Sequence, residues 1–365
     1  MQADLSPDSN DTSSEVDTIS DYGASMDISS MDGGESSTGS VFSFDMRRDG
    51  DLFLKVHGRM FNAQNPLYTL PADEIEWGRL DKQHRVHLLA LGGLYQAPET
   101  VTQILIPEFG VDKRILDCGA GGGNWAIAMA EEFPHVEVPD LIPLLHSSKI
   151  DWIVPLKVIG VDLAPRTGRP PPPNCRFEFD DVTLGLPHYH GQFDVVHAQS
   201  SANGIRDFPQ FIHEMVQCLK PGGILLIVEG DLQLYGEDFE PMEAKFSPES
   251  SGSWMNRLLF ETYSCAKFRG SAMDAGRFLL TWLQQNQELE NEQGRKIFTP
   301  IGPWLRGDTE AETGRLMFIG ELMRQNSKEF VRGWKPMLLE EGSLKTQWIG
   351  GSKAQMKNLP RFPST

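Results

Sequence analysis

The chain has 365 residues, 39% hydrophobic and 23% charged, enough to bury the core of one large domain or two. That balance excludes a wholly disordered chain, a collagen-like fibre and a membrane protein. A net charge of −18 argues against direct electrostatic binding of nucleic acid, which needs clustered Lys and Arg to neutralise phosphates.

Residues 1–46 hold ten acidic groups, twelve serines and no basic group, the pattern of a disordered, solvated tail. No basic stretch followed by an apolar one marks a signal peptide. The most apolar segment, PDLIPLLHSSKIDWIVPLK, is broken by prolines and charges and cannot span a bilayer. Cys118, Cys175, Cys218 and Cys265 form no CxxC pair, so reduced thiols in an intracellular protein, cytoplasmic or nuclear, are expected.

Four segments follow along the chain: the tail (1–46), a helical entry (47–110), an α/β core (111–235) and a helical cover with the end of the sheet (236–365). In the entry, a helix is predicted over Glu74–Leu91, with Asp73 as its cap, Glu76 at the capping-box position and Gly92-Gly93 as its stop. The core then alternates. RILDC reads as a strand, WAIAMAEEF as a helix closed by Pro134, and KVIGVDL, RFEFDDV and FDVVHAQ as strands. FPQFIHEMVQCLKPGG is an amphipathic helix with a Pro-Gly-Gly stop, and ILLIVEG a continuous apolar strand expected to be buried on both faces. Such alternation predicts a doubly wound parallel sheet covered by helices. WMNRLLFETYSCAKF and AGRFLLTWLQQ read as helices of the cover.

The chemistry concentrates where RILDC opens into Gly119, Gly121, Gly122 and Gly123. Glycines there let backbone approach a ligand at the carboxyl edge of a sheet. The spacing also matches a dinucleotide loop loosely, as GGGNWA from Gly121. Asp117, two positions before the first glycine, separates the two readings: a carboxylate repels a pyrophosphate but suits an ammonium.

The DxGxGxG run from Asp117 to Gly123 resembles the signature of class I S-adenosylmethionine-dependent methyltransferases. The resemblance implies S-adenosyl-L-methionine as cofactor and assigns roles position by position. Asp117 would meet the methionine ammonium, Gly119, Gly121 and Gly123 would form the bend, and Asp162 with Leu163 would hold the ribose. Asp180, Asp181 and Val182 would read the adenine, and Gln199 would end the strand facing the transferred methyl. Leu219 to Gly223 resembles the turn before the family's fifth strand. Upstream, His57 to Pro98, and downstream, TPIGPW at Thr299 to Trp304, are similar to the fungal LaeA-like (UMTA-type) methyltransferases. That family implies a small-molecule methyl acceptor in secondary metabolism or, alternatively, a regulator working through protein partners. A nicotinamide-dependent oxidoreductase ranks third.

Two departures stand out. Gly123 and Asp162 are 39 residues apart instead of ~20, with the excess over 139–157. A surface insertion and an in-frame retained intron both account for it. The carboxyl end shows no apolar hairpin, only KTQWIGG and a polar ending. His188 and His190 read as loop residues without a third metal ligand, so no metal is expected. His197, His84 and Tyr68 are the candidates for a catalytic base.

Overall fold

The computed structural model describes residues 52–108, 110–134, 156–164, 170–247, 249 and 251–348, with side chains to 339. The acidic tail (1–46), nearly all of 139–157 and the last residues of KTQWIGG lie outside the described residues. All described residues belong to one compact unit.

The entry opens on a hairpin that sequence reading did not anticipate, β1 (Phe53–Val56) antiparallel to β2 (Arg59–Asn62). Helix α1 (Glu74–Leu91) follows over the predicted range: the Asp73 carboxylate accepts from the Glu76 N–H, and Gly92 closes the helix at φ 80°. Arg59 holds the cap through two hydrogen bonds of 2.5 and 2.7 Å. Glu76, however, does not complete the predicted capping box. Its carboxylate turns inward, 2.7 Å from the Arg79 guanidinium, both side chains 2% exposed. A charge so buried needs its partner close, and here the pair outcompetes the cap. Helix α2 (Pro98–Leu105) completes the entry.

The core has strands β3 (Arg114–Cys118), β4 (Lys157–Asp162), β5 (Cys175–Phe179), β6 (Phe193–Gln199) and β7 (Leu219–Val228), with helices α3 (Asn124–Glu132) and α4 (Phe208–Cys218). All five strands are parallel, in the order β5-β4-β3-β6-β7. The period of two along each strand sorts side chains into two cores. Leu116, Ile159 and Val196 pack with Phe208, Phe211, Ile212 and Met215 of α4 on one face. Ile115, Val158 and Val195 pack with Trp125, Ala126 and Met129 of α3 on the other. Gly160 of β4 is required by that packing, since a Cβ there would lie 2.6 Å from the Phe177 ring.

Two expectations for the sheet need correction. ILLIVEG is not buried on both faces: β7 is the edge strand, and only Leu226 in it is fully buried. Lys220 to Gly223, expected as a turn before the strand, already belongs to it. No strand follows β7 in the sheet among the described residues, and Lys345 to Trp348 of KTQWIGG continue a helix. That helix, α7 (Glu310–Trp348), packs on α1 and on α5 (Trp254–Arg269). Helix α6 (Ala275–Gln285) packs against α4. Trp334, with no exposed surface, anchors α7 beside Leu70, Tyr263 and Met273. No helix among the described residues is long and apolar enough to cross a membrane.

Candidate functional site

The chain leaves β3 toward β4 and β5, then returns to β6 on the other side of β3. Such a reversal opens a crevice at the carboxyl ends of the strands. Here the crevice is a cavity of about 2700 Å³. The cavity also runs along the edge strand β7, from Gly222 to Val228.

The glycine bend forms one wall. Gly119 and Ala120 donate to the Val161 carbonyl at 2.8 and 2.9 Å, tying the bend to β4. Gly119, Gly121 and Gly123 adopt φ of 76°, 54° and 74°, the left-handed region that favours glycine. Asp162, at the tip of β4, accepts from the Gly121 N–H at 2.7 Å and from the Ala164 N–H at 3.0 Å. Burial pushes its carboxyl up to about 6; those N–H bonds pull it down, and the Asp117 charge adds to the rise.

Gly119, Gly121, Asp162, Leu163, Asp180, Asp181, Val182 and Gln199 all line this cavity. The Asp180 N–H donates to the Asp162 carbonyl at 3.2 Å, joining the tips of β4 and β5. Asp181 caps a short 3₁₀ turn, accepting from the Thr183 N–H at 2.9 Å.

Asp117 sits elsewhere. It is 2% exposed beneath the bend and does not line the cavity; its Oδ1 lies 2.7 Å from Nδ1 of His197, its register partner on β6. Trp125 stacks on that imidazole with ring centres 3.6 Å apart and donates from Nε1 to the Leu94 carbonyl at 2.9 Å. His197 is thus a buried partner of Asp117, away from the cavity. Gly123 caps α3 and does not line the cavity either. Of the other base candidates, His84 is off the cavity while His87, one turn on, lines it. Burial lowers both imidazoles, His87 to about 4, which keeps them neutral near pH 7. Tyr68 lines the cavity with its hydroxyl pushed up by burial and by the charges of Glu76 and Asp162.

Sequence reading missed Glu229 and Asn203. Glu229 follows β7 and accepts from Ser201 N–H, Ser201 Oγ–H and Ala202 N–H at 2.7, 2.8 and 3.2 Å. No motif marks it; the signal was a lone carboxylate ending an apolar strand. Among the described residues no group of three metal-ligating side chains converges.

A model of the methyltransferase domain matches residues 93–287, more than half of the chain. The chain belongs to that family. It is 31% identical to the secondary metabolism regulator laeA of Coprinopsis cinerea, over 78% of this chain and 64% of that protein. It is 28% identical to the methyltransferase pytC of Aspergillus terreus, over 78% of this chain and 75% of that protein. Against the methyltransferase str2 of Strobilurus tenacellus it is 26% identical, over 66% and 74%. The chain is therefore a methyltransferase-domain protein similar to laeA, and it spans less than two thirds of that Coprinopsis regulator. The family implies S-adenosylmethionine as the cofactor.

Proposed function

We propose that the chain transfers a methyl group from S-adenosylmethionine to a small-molecule acceptor in fungal secondary metabolism. The observation that carries this reading is the meeting of Gly119, Gly121, Asp162 and Asp181 on one cavity at the switch point of the sheet. Asp162 offers carboxylate oxygens to a pair of ribose hydroxyls, and its two backbone donors fix its orientation. Asp181 and Val182 form the wall for the adenine. The bare Gly119–Gly121 backbone admits the methionine portion. Asp117 acts from below, holding His197 and the floor of the bend rather than touching the donor.

When bound, the donor supplies a methyl on a positively charged sulfur, already activated for in-line displacement. What remains for the protein is to hold the acceptor in line, and such positioning supplies much of the rate.

Labelled methyl offered to the protein with an extract of a strain lacking it tests this reading. The expected result is one labelled metabolite, matched by an unmethylated precursor accumulating in that strain. A regulator acting through partners is the second reading, favoured by the 31% identity to laeA of Coprinopsis cinerea. It predicts donor binding with no labelled metabolite.

A further inference from the structure

The wall of the cavity beyond the donor end carries two polar groups that no motif explains. The loop after β6 turns at Ser200, a non-glycine residue at φ 56°, and is held rigidly. Ser200 N–H donates to Val228 O at 2.8 Å, Asn65 Nδ2 to Gly204 O at 2.9 Å, and Ser271 Oγ to Ala202 O at 3.1 Å. Glu229 grips this loop through Oε1, as described above. Asn203, one residue beyond Ala202, is 6% exposed and also lines the cavity. Its Oδ1 accepts from Thr69 Oγ1 at 3.3 Å, while its Nδ2 is buried without a partner. A buried amide donor left unsatisfied in an otherwise well-bonded loop marks a place for a ligand acceptor atom.

A group held by both side chains must donate to a carboxylate and accept from an amide. Its reacting atom must still keep a lone pair for the methyl. A neutral amine nitrogen has one lone pair, which the amide would occupy; a thiol sulfur accepts weakly; a carbon accepts not at all. A hydroxyl oxygen has two lone pairs and one proton, and alone meets all three demands. Tyr235 and Phe239 each meet Phe298, with ring centres 5.1 and 5.0 Å apart, and all three line the same cavity, an apolar bed for the rest of the acceptor.

We propose that Glu229 and Asn203 together hold the hydroxyl of an apolar, hydroxylated acceptor, making this chain an O-methyltransferase with Glu229 as its base. The proposal rests on the methyltransferase reading above. In the step, the acceptor O–H breaks and its proton passes to the Glu229 carboxylate. An oxygen lone pair forms the new C–O bond, and the C–S bond breaks with its electrons going to sulfur. The sulfonium charge and the carboxylate charge disappear together. Burial of Glu229, which pushes its carboxyl up to about 7 against the Ser201 hydroxyl and the N–H bonds that lower it, suits it to take a proton near neutral pH. Asp162 and the Asp231 carboxylate, paired to Arg277 at 2.7 Å, are other ionisable groups on the cavity.

The test uses the full chain, S-adenosylmethionine with a labelled methyl, and the deletion-strain extract. Calorimetry with the donor alone comes first. Wild type, Asn203→Ala and Glu229→Gln should bind it equally; failure of all three overturns the methyltransferase reading itself. With donor bound, the labelled product should be a methyl ether. Wild-type kcat/KM should rise with pH through about 7. Glu229→Gln, which can still accept from the loop, should lose that limb and fall ~100-fold or more in kcat. Asn203→Ala should lose activity with the limb intact. Should Glu229→Gln melt early, Ser201→Ala takes its place: without the hydroxyl that lowers the Glu229 carboxyl, its limb should move to higher pH, and an unmoved limb would overturn the assignment. A label on nitrogen, carbon or sulfur, no labelled product with donor bound, or an unchanged limb in Glu229→Gln would overturn the assignment.

Discussion

The proposed donor end and the proposed acceptor end of the cavity are assembled differently. At the donor end, Gly119 to Gly121, Asp162 and Asp180 to Asp181 occupy the tips of adjacent strands, and backbone N–H groups of neighbouring turns fix them. At the acceptor end, Asn203 and Glu229 follow the adjacent strands β6 and β7, while Tyr68 comes from the entry and Phe298 from the cover, so loops from separate parts of the chain must meet there. Strand-tip geometry repeats wherever this sheet forms, so the donor end follows from short local patterns. The acceptor end depends on which loops meet, and local pattern carries no record of that.

The contrast is sharpest in stability. Phe208, with no exposed surface and its ring against those of Phe211 and Trp282, belongs to the core under the sheet. Phe208→Ala should cost about 3–5 kcal/mol in urea unfolding. Phe239, 62% exposed on the acceptor wall, should change stability by less than ~0.5 kcal/mol when made Ala, while raising KM for the acceptor. Equal losses would dissolve the distinction.

A smaller effect separates the ends in binding. Asp162→Ala removes charged hydrogen bonds worth about 1.5–3 kcal/mol, so calorimetry should find the donor bound ~10- to 150-fold more weakly. Phe239→Ala should leave the donor constant unchanged.

The pH response carries opposite signs for folding and binding. The Asp162 carboxyl is raised to about 6 in the folded chain, so between about pH 4 and 6 the native state holds the extra proton. Stability of the free protein should therefore fall as pH rises through that window, and Asp162→Asn should flatten the fall. Donor affinity should instead rise with pH through about 6, because the ionised carboxylate accepts the ribose. Parallel thermal melts and binding titrations check both signs.

Smaller still, Gly121→Ala places a Cβ at φ 54°, 3.2 Å from a Leu80 methyl. The left-handed conformation alone costs about 1–2 kcal/mol in melting. Arg277→Ala, which breaks the pair with Asp231 on the acceptor side, should cost about 1 kcal/mol or less.

The same contrast explains what could be read from sequence. α1, α5 and α6 and the strands β3 and β6 fall where periodicity and caps put them, because local pattern and packing agree. The β1–β2 hairpin escaped because its strands are four residues long and lack alternation. ILLIVEG was misread because an apolar run looks alike in a central strand and in an edge strand lined by a cavity. Glu76 was misread because a capping-box spacing also suits a buried ion pair with Arg79 three residues on. Asp117 was placed on the correct strand tip, but its bond to His197 depends on the β3–β6 register, which spacing does not encode.

The central claim is that Asp162 and the bare bend at Gly119–Gly121 form a seat for a sulfonium nucleoside. Titrating the purified chain with S-adenosylmethionine while following thermal unfolding tests it most directly. At ~100 times its dissociation constant the donor should add about 2.7 kcal/mol of stability, and NAD should add nothing. A folded chain stabilised by NAD, or indifferent to S-adenosylmethionine, would contradict it.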